Sequence, residues 1–175
     1  MTTTPLASAA TRPRITAFAL ASGSFLVGLA TIAAAWGSQL IGGLAPCDLC
    51  LEQRVAYYVG LPVLAVALLL WKRLSMPLWG LLMLAAIGIF LWSTYMGAFH
   101  AGVEWGFWPG PTACTGVGGG LSFDTLAGSI ERIVPCDEVQ FRFLGISLAG
   151  YNALISLGIA AALAAALLLR GRRTG

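Results

Sequence analysis

The chain reads as an all-α membrane protein: a four-transmembrane-helix bundle with a short interfacial helix in its last loop. Three observations predict this: the composition, four long stretches without charge, and the division of charges among the segments between them. Of 175 residues, 58% are apolar and 10% charged, and the mean hydropathy is +0.85. A water-soluble domain carries about 25% charged residues. The balance excludes a soluble enzyme and a disordered chain, and a net charge of +3 offers no basic stripe for nucleic acid.

The elements follow in order. Residues 1–14, rich in Thr, Ala and Pro, are expected to be a poorly ordered tail. No ionisable residue lies between Arg14 and Asp48, which predicts the first span. Arg12, Arg14 and the small residues Ala33-Ala34-Ala35 also fit a cleavable secretory signal. The apolar stretch is longer than such a signal needs, so it is read as a span; cleavage would leave the sidedness of the rest unchanged. A second run covers Val55 to Trp71, with Pro62 expected to kink or loosen it. The third, Leu74 to Val103, carries His100 near its end, and the fourth runs from Phe143 to Leu169. Each run holds or nearly holds the roughly 20 residues that cross a hydrocarbon core. Ser156, Ala160 and Ala164 recur every fourth residue of the fourth run. They mark either a face for close helix approach or an Ala-rich face toward lipid. One domain, 15–170, is expected, with outer loops at about 41–53 and 98–143, an inner loop at about 72–76 and a tail at 171–175.

The charges set the orientation. Arg12, Arg14, Lys72, Arg73, Arg170, Arg172 and Arg173 flank the spans on one side with no acid among them. Arg54, Arg132 and Arg142 share the other side with Asp48, Glu52, Glu104, Asp124, Glu131, Asp137 and Glu138. The positive-inside bias makes the first side cytoplasmic, so both termini are expected there. Every cysteine, Cys47, Cys50, Cys114 and Cys136, then falls in the outer loops, where an oxidising compartment favours two disulfides.

The two outer loops differ in chemistry. Cys47-Asp48-Leu49-Cys50 is a C-x-x-C, whose short loop favours a redox-active bridge. Cys50 lies near the start of the second helix, where free amides and the helix dipole favour a thiolate. Arg54 sits one turn further on the same face. It either stabilises an anion at the membrane boundary or snorkels to the headgroups. In the 21 residues between Cys114 and Cys136, Gly116, Gly118, Gly119 and Gly120 free the backbone. From Ser122, Phe123, Leu126, Ile130, Ile133 and Val134 fall on one side, the pattern of an interfacial helix. That helix either brings the loop to the C-x-x-C or merely caps the outer face.

Two adjacent disulfides permit thiol–disulfide exchange, after which the electrons must leave the protein. With one histidine, paired-His haem ligation is excluded, and the Gly116–Gly120 run opens no nucleotide-binding unit. By elimination, a lipid-soluble two-electron acceptor such as a quinone fits. A Cys₄ zinc site or two inert disulfides in a scaffold stand as the non-enzymatic alternative. The 21-residue gap lacks a second Cys-x-x-Cys knuckle, so no metal is expected.

These residues carry a resemblance. Cys47-Asp48-Leu49-Cys50-Leu51-Glu52-Gln53-Arg54 resembles the C-x-x-C-x-x-x-R signature of the DsbB family of disulfide bond formation proteins. Pro135-Cys136 with Phe143-Leu144-Gly145-Ile146-Ser147, and His100 to Cys114 through Trp105 and Trp108-Pro109-Gly110-Pro111, are similar to further stretches of that family. The resemblance implies an inner-membrane enzyme that reoxidises a periplasmic DsbA-like dithiol protein and reduces ubiquinone or menaquinone. It further implies that Cys114 pairs transiently with the partner and Cys136 exchanges with Cys47. Cys50 would then face the quinone, with Arg54 supporting the ring oxygen and His100 nearby. Phe141 and Tyr151 stand where tryptophan is common in the family, and Gln53 where some relatives have Glu. Vitamin K epoxide reductase homologues share a four-helix core and two cysteine pairs, but there the loop pair precedes the C-x-x-C.

Overall fold

The computed structural model describes residues 6–111 and 134–171, with side chains from residue 15 onward. Four long helices run through it: α1 (Leu6–Leu40), α2 (Asp48–Leu69), α3 (Met76–Glu104) and α4 (Leu148–Gly171). Each contains a segment long and apolar enough to cross a membrane, 26, 22, 29 and 24 residues in turn. The chain is thus the all-α, four-span membrane protein its composition predicts. Cys114 and the expected interfacial helix lie outside the described residues.

Several boundaries differ from the expected ones. Helix α1 already begins at Leu6, inside the expected tail, and carries Pro13 at its eighth position; the Ala-rich stretch before it favours helix. The first connection is only 41–47, because Cys47 ends it as the N-cap of α2 and Cys50 to Arg54 are already helical. Helix α3 continues to Glu104, so His100 is a helix residue rather than a loop residue. Between Cys136 and α4 the chain makes a hairpin, β1 (Arg142–Phe143) with β2 (Ile146–Ser147), Arg142 opposite Ser147. Its turn residues Leu144 and Gly145 both have positive φ, 49° and 81°, as a two-residue turn matched to strand twist requires. Ser147 then caps α4, its hydroxyl accepting from the Gly150 amide at 3.2 Å.

Helices α3 and α4 pack closest. A side chain at Gly97 would meet the Ala153 nitrogen at 2.8 Å and the Ala149 carbonyl at 2.9 Å. The small residues of α4 serve this packing: Ser156 and Ala160 are buried, while Ala164 is half-buried. The main core, built from Leu64, Trp79, Met83, Phe90 and Leu163, fills the half of the bundle away from the cysteines. There Arg170 lies buried over the rings of Trp71 and Trp79, 3.9 and 4.3 Å from their centroids, and donates to the Trp71 carbonyl. Pro62 lies inside α2 without ending it.

Candidate active site

The opposite end of the bundle gathers the chemistry. Cys47 and Cys50 are joined in a disulfide at the N-terminus of α2, and the Cys50 amide donates to Cys47 Sγ at 3.3 Å. Cys136 is disulfide-bonded too. It is buried, and it packs in one cluster with Cys47, Leu49, Met96 and Val103, with Cys50 and Phe99 against them. Two cysteines separated by 89 positions in the chain are therefore neighbours. The Gln140 side chain, which donates to the Ala45 carbonyl, ties the segment after Cys136 to the first connection.

His100 approaches this cluster from α3. It is 3% exposed, its Nε2 lies 3.7 Å from Cys47 Sγ, and its Nδ1 lies 2.8 Å from Gln53 Nε2. Glu104, one turn along, places Oε1 3.9 Å from the same Nε2 and also faces Ser147 and Arg142. The ligand-type atoms of Cys47, Cys50 and His100 lie within 4.8 Å of one another, but in the disulfide the two sulfurs are bonded to each other instead of being offered to a cation. Gly102 allows the chain after α3 to fold back: Trp108 lies where its Cβ would be, and the indole nitrogen donates to the Phe99 carbonyl at 2.9 Å.

Arg54 is held inside the bundle. It is 8% exposed and donates to Gln39 Oε1 at 2.7 Å and to the Ala35 carbonyl at 3.1 Å, with its guanidinium 5.4 Å from the Trp36 ring. These bonds turn the cation back toward α1 and leave further N–H donors along the wall of a cavity. That cavity, about 490 Å³, lies between α1, α2 and α4 beneath the disulfide and is bounded by Cys47, Cys50, Arg54, His100 and Glu104 at its polar end. Val27, Ala30, Ile32, Leu148 and Ile155 form apolar walls. Phe141 and Tyr151 line it as well, and the Tyr151 hydroxyl donates to the Phe143 carbonyl at 3.0 Å.

Below the disulfide runs a polar network that the cysteine spacing did not reveal. Asn152 bridges Gln53 and Tyr57 at 2.7 Å each, and Tyr57, Ser156 and Ser93 close it with contacts of 3.0 and 2.9 Å. The available signal was the presence of Ser93, Asn152 and Ser156 inside otherwise apolar spans, where polar groups face partners or a cavity.

The profile of the family described as "Disulfide bond formation protein DsbB" matches residues 16–166. The chain is similar to "Disulfide bond formation protein B" of Methylococcus capsulatus (strain ATCC 33009 / NCIMB 11132 / Bath), 31% identical over 146 residues, covering 78% of this chain and 85% of that protein. No solved structure matches the chain significantly.

Proposed function

The chain belongs to the DsbB family of disulfide bond formation proteins, and from that premise we propose that it is a quinone-dependent thiol oxidase of the bacterial inner membrane. Its cysteine loops face the periplasm and both termini face the cytoplasm. The observation that carries this reading is the meeting of three features at one end of the bundle. These are the Cys47–Cys50 disulfide, buried Cys136 against it, and an apolar cavity with Arg54 in its wall.

In this reading a reduced DsbA-like dithiol protein attacks the disulfide of Cys114 and Cys136, bonding to Cys114 and releasing Cys136 as a thiolate. Its second thiol then displaces Cys114 and leaves oxidised. Cys136 attacks Cys47 Sγ, breaking the Cys47–Cys50 bond and freeing Cys50 as a thiolate; Cys114 then attacks Cys136, restoring their disulfide and releasing Cys47, so that Cys47 and Cys50 hold the two electrons. The Cys50 position, in the first turn of α2 with its amide toward Cys47, favours that anion. The cavity fits a quinone head: its size lies within the range of small-molecule sites, its walls are apolar, and its polar end presents a guanidinium. Bound there, ubiquinone or menaquinone supplies the sink for two electrons and two protons. Arg54 would donate to the ring oxygen, and its buried charge would favour negative charge there.

The test is quinone reduction by vesicles holding the purified protein and a reduced DsbA-like protein. Wild type should reduce one quinone per dithiol oxidised. A Cys50→Ser variant should lose quinone reduction yet still form the mixed disulfide through Cys114. Normal turnover by that variant would overturn the reading.

A further inference from the structure

The network beneath the disulfide has a direction, and backbone carbonyls set it at two places. Gln53 Nε2 lies 3.0 Å from the Leu49 carbonyl oxygen and 2.8 Å from His100 Nδ1. A carbonyl only accepts, so Gln53 must present its NH₂ group on this side and its oxygen on the other. That oxygen accepts from Asn152 Nδ2 at 2.7 Å. Asn152 Nδ2 is also 3.5 Å from the Ser93 carbonyl oxygen, a second pure acceptor that orients Asn152 the same way. Asn152 Oδ1 accepts from the Tyr57 hydroxyl at 2.7 Å. From Tyr57 through Asn152 and Gln53, every donor meets an acceptor, and the series ends on His100 Nδ1, which must accept.

A neutral imidazole carries its proton on one nitrogen and a lone pair on the other. With Nδ1 accepting, the proton sits on Nε2. That nitrogen faces Cys47 Sγ at 3.7 Å, with Glu104 Oε1 further off at 3.9 Å, and the ring is also hydrogen-bonded to the Cys136 backbone. We propose that Tyr57, Asn152 and Gln53 are positioning residues that hold His100 as the Nε2–H tautomer, so that the ring donates to Cys47. When Cys47 is later displaced from its bond to Cys136, an N–H toward Cys47 stabilises the thiolate that leaves, whereas a lone pair would repel it. The same tautomer guards the reduced dithiol against metals. A cation held by Cys47, Cys50 and His100 would need the Nε2 lone pair, with Nδ1–H donating to an outer acceptor; here Nδ1 faces a donor. The role at Cys47 rests on the exchange proposed above, while the tautomer does not.

The chain contains a single histidine, so ¹⁵N-histidine labelling yields one imidazole and an unambiguous NMR readout. Oxidised protein in lipid nanodiscs, without quinone or partner, should show an unprotonated Nδ1 and a protonated Nε2. Gln53→Glu, read at a pH where the new side chain is ionised, replaces the donor with groups that only accept, and should move Nδ1 to the protonated range. Asn152→Leu removes the donor that holds Gln53 and should replace the single tautomer by a mixture. A protonated Nδ1 in wild type, or an unprotonated Nδ1 in Gln53→Glu, overturns the proposal. Wild-type shifts in Asn152→Leu remove Asn152 and Tyr57 from it. If the shifts behave as expected but Gln53→Glu leaves thiol oxidation unchanged, the Cys47 role falls and the tautomer stands.

Discussion

Replacing Gly97 by alanine tests how tightly the α3–α4 contact is set. The added methyl would lie 2.8 Å from the Ala153 nitrogen, 2.9 Å from the Ala149 carbonyl oxygen and 3.1 Å from the Ala153 Cα. These are backbone atoms, with no rotamer by which to yield. Reaching an ordinary contact of 3.4 Å requires the two helices to separate by about 0.6 Å. Overpacking of this kind costs about 1–3 kcal/mol. Against it stands a gain of about 0.5–1 kcal/mol from placing alanine where glycine was in a helix. The net expectation is a loss of up to about 2.5 kcal/mol. Gly88, on the same helix, has nothing within 4 Å of its Cβ direction, so Gly88→Ala keeps only the gain. Thermal or denaturant unfolding in a fixed detergent should therefore rank Gly88→Ala above wild type and Gly97→Ala below it. Because Asn152 adjoins Ala153, the separation should also loosen the Gln53 and Ser93 contacts, visible as a changed His100 signal. If both alanine variants match each other in stability, the close approach inferred at Gly97 is wrong.

Other expectations follow from single contacts. Arg170→Met removes a cation from over Trp71 and Trp79 and a bond to the Trp71 carbonyl; unfolding should show a loss of about 2 kcal/mol, and an unchanged midpoint would refute the pairing. Ser147→Ala removes the cap of α4 and should cost about 1 kcal/mol in the same assay. Arg54→Lys keeps the charge but not the fork that reaches both Gln39 and Ala35. Losing one charge-assisted bond to a quinone oxygen, about 1.5–3 kcal/mol, should raise the quinone KM by about tenfold or more, with the KM for the thiol partner unmoved. Equal shifts in both would take Arg54 away from the quinone.

Much of the fold was legible because a membrane imposes a simple rule: apolar runs long enough to cross it become helices, and four such runs between charged segments leave little choice. Helix ends were less legible. Cys47 as N-cap and His100 as a helix residue depend on which polar groups the tertiary structure shields, and the expected loops at about 41–53 and 98–143 overlap helices that start at Asp48 and end at Glu104. The hairpin escaped notice because two-residue strands leave no periodicity; only Leu144-Gly145 signals it. At the site, the C-x-x-C and Arg54 stood out by spacing. The partnership of Gln53 with His100 and of Asn152 with Tyr57 did not, since it joins positions 47 and 95 residues apart and exists only once α2, α3 and α4 pack in this register.

The central claim is that the two cysteine pairs act in series, Cys136 exchanging with Cys47 while Cys50 serves the acceptor. Acid quenching during turnover, followed by alkylation and peptide mapping, tests it most directly. A population in which Cys47 is linked to Cys136 and Cys50 is free is the predicted result. Finding only Cys47 joined to Cys50 at every time point, while the partner is oxidised at full rate, would contradict it.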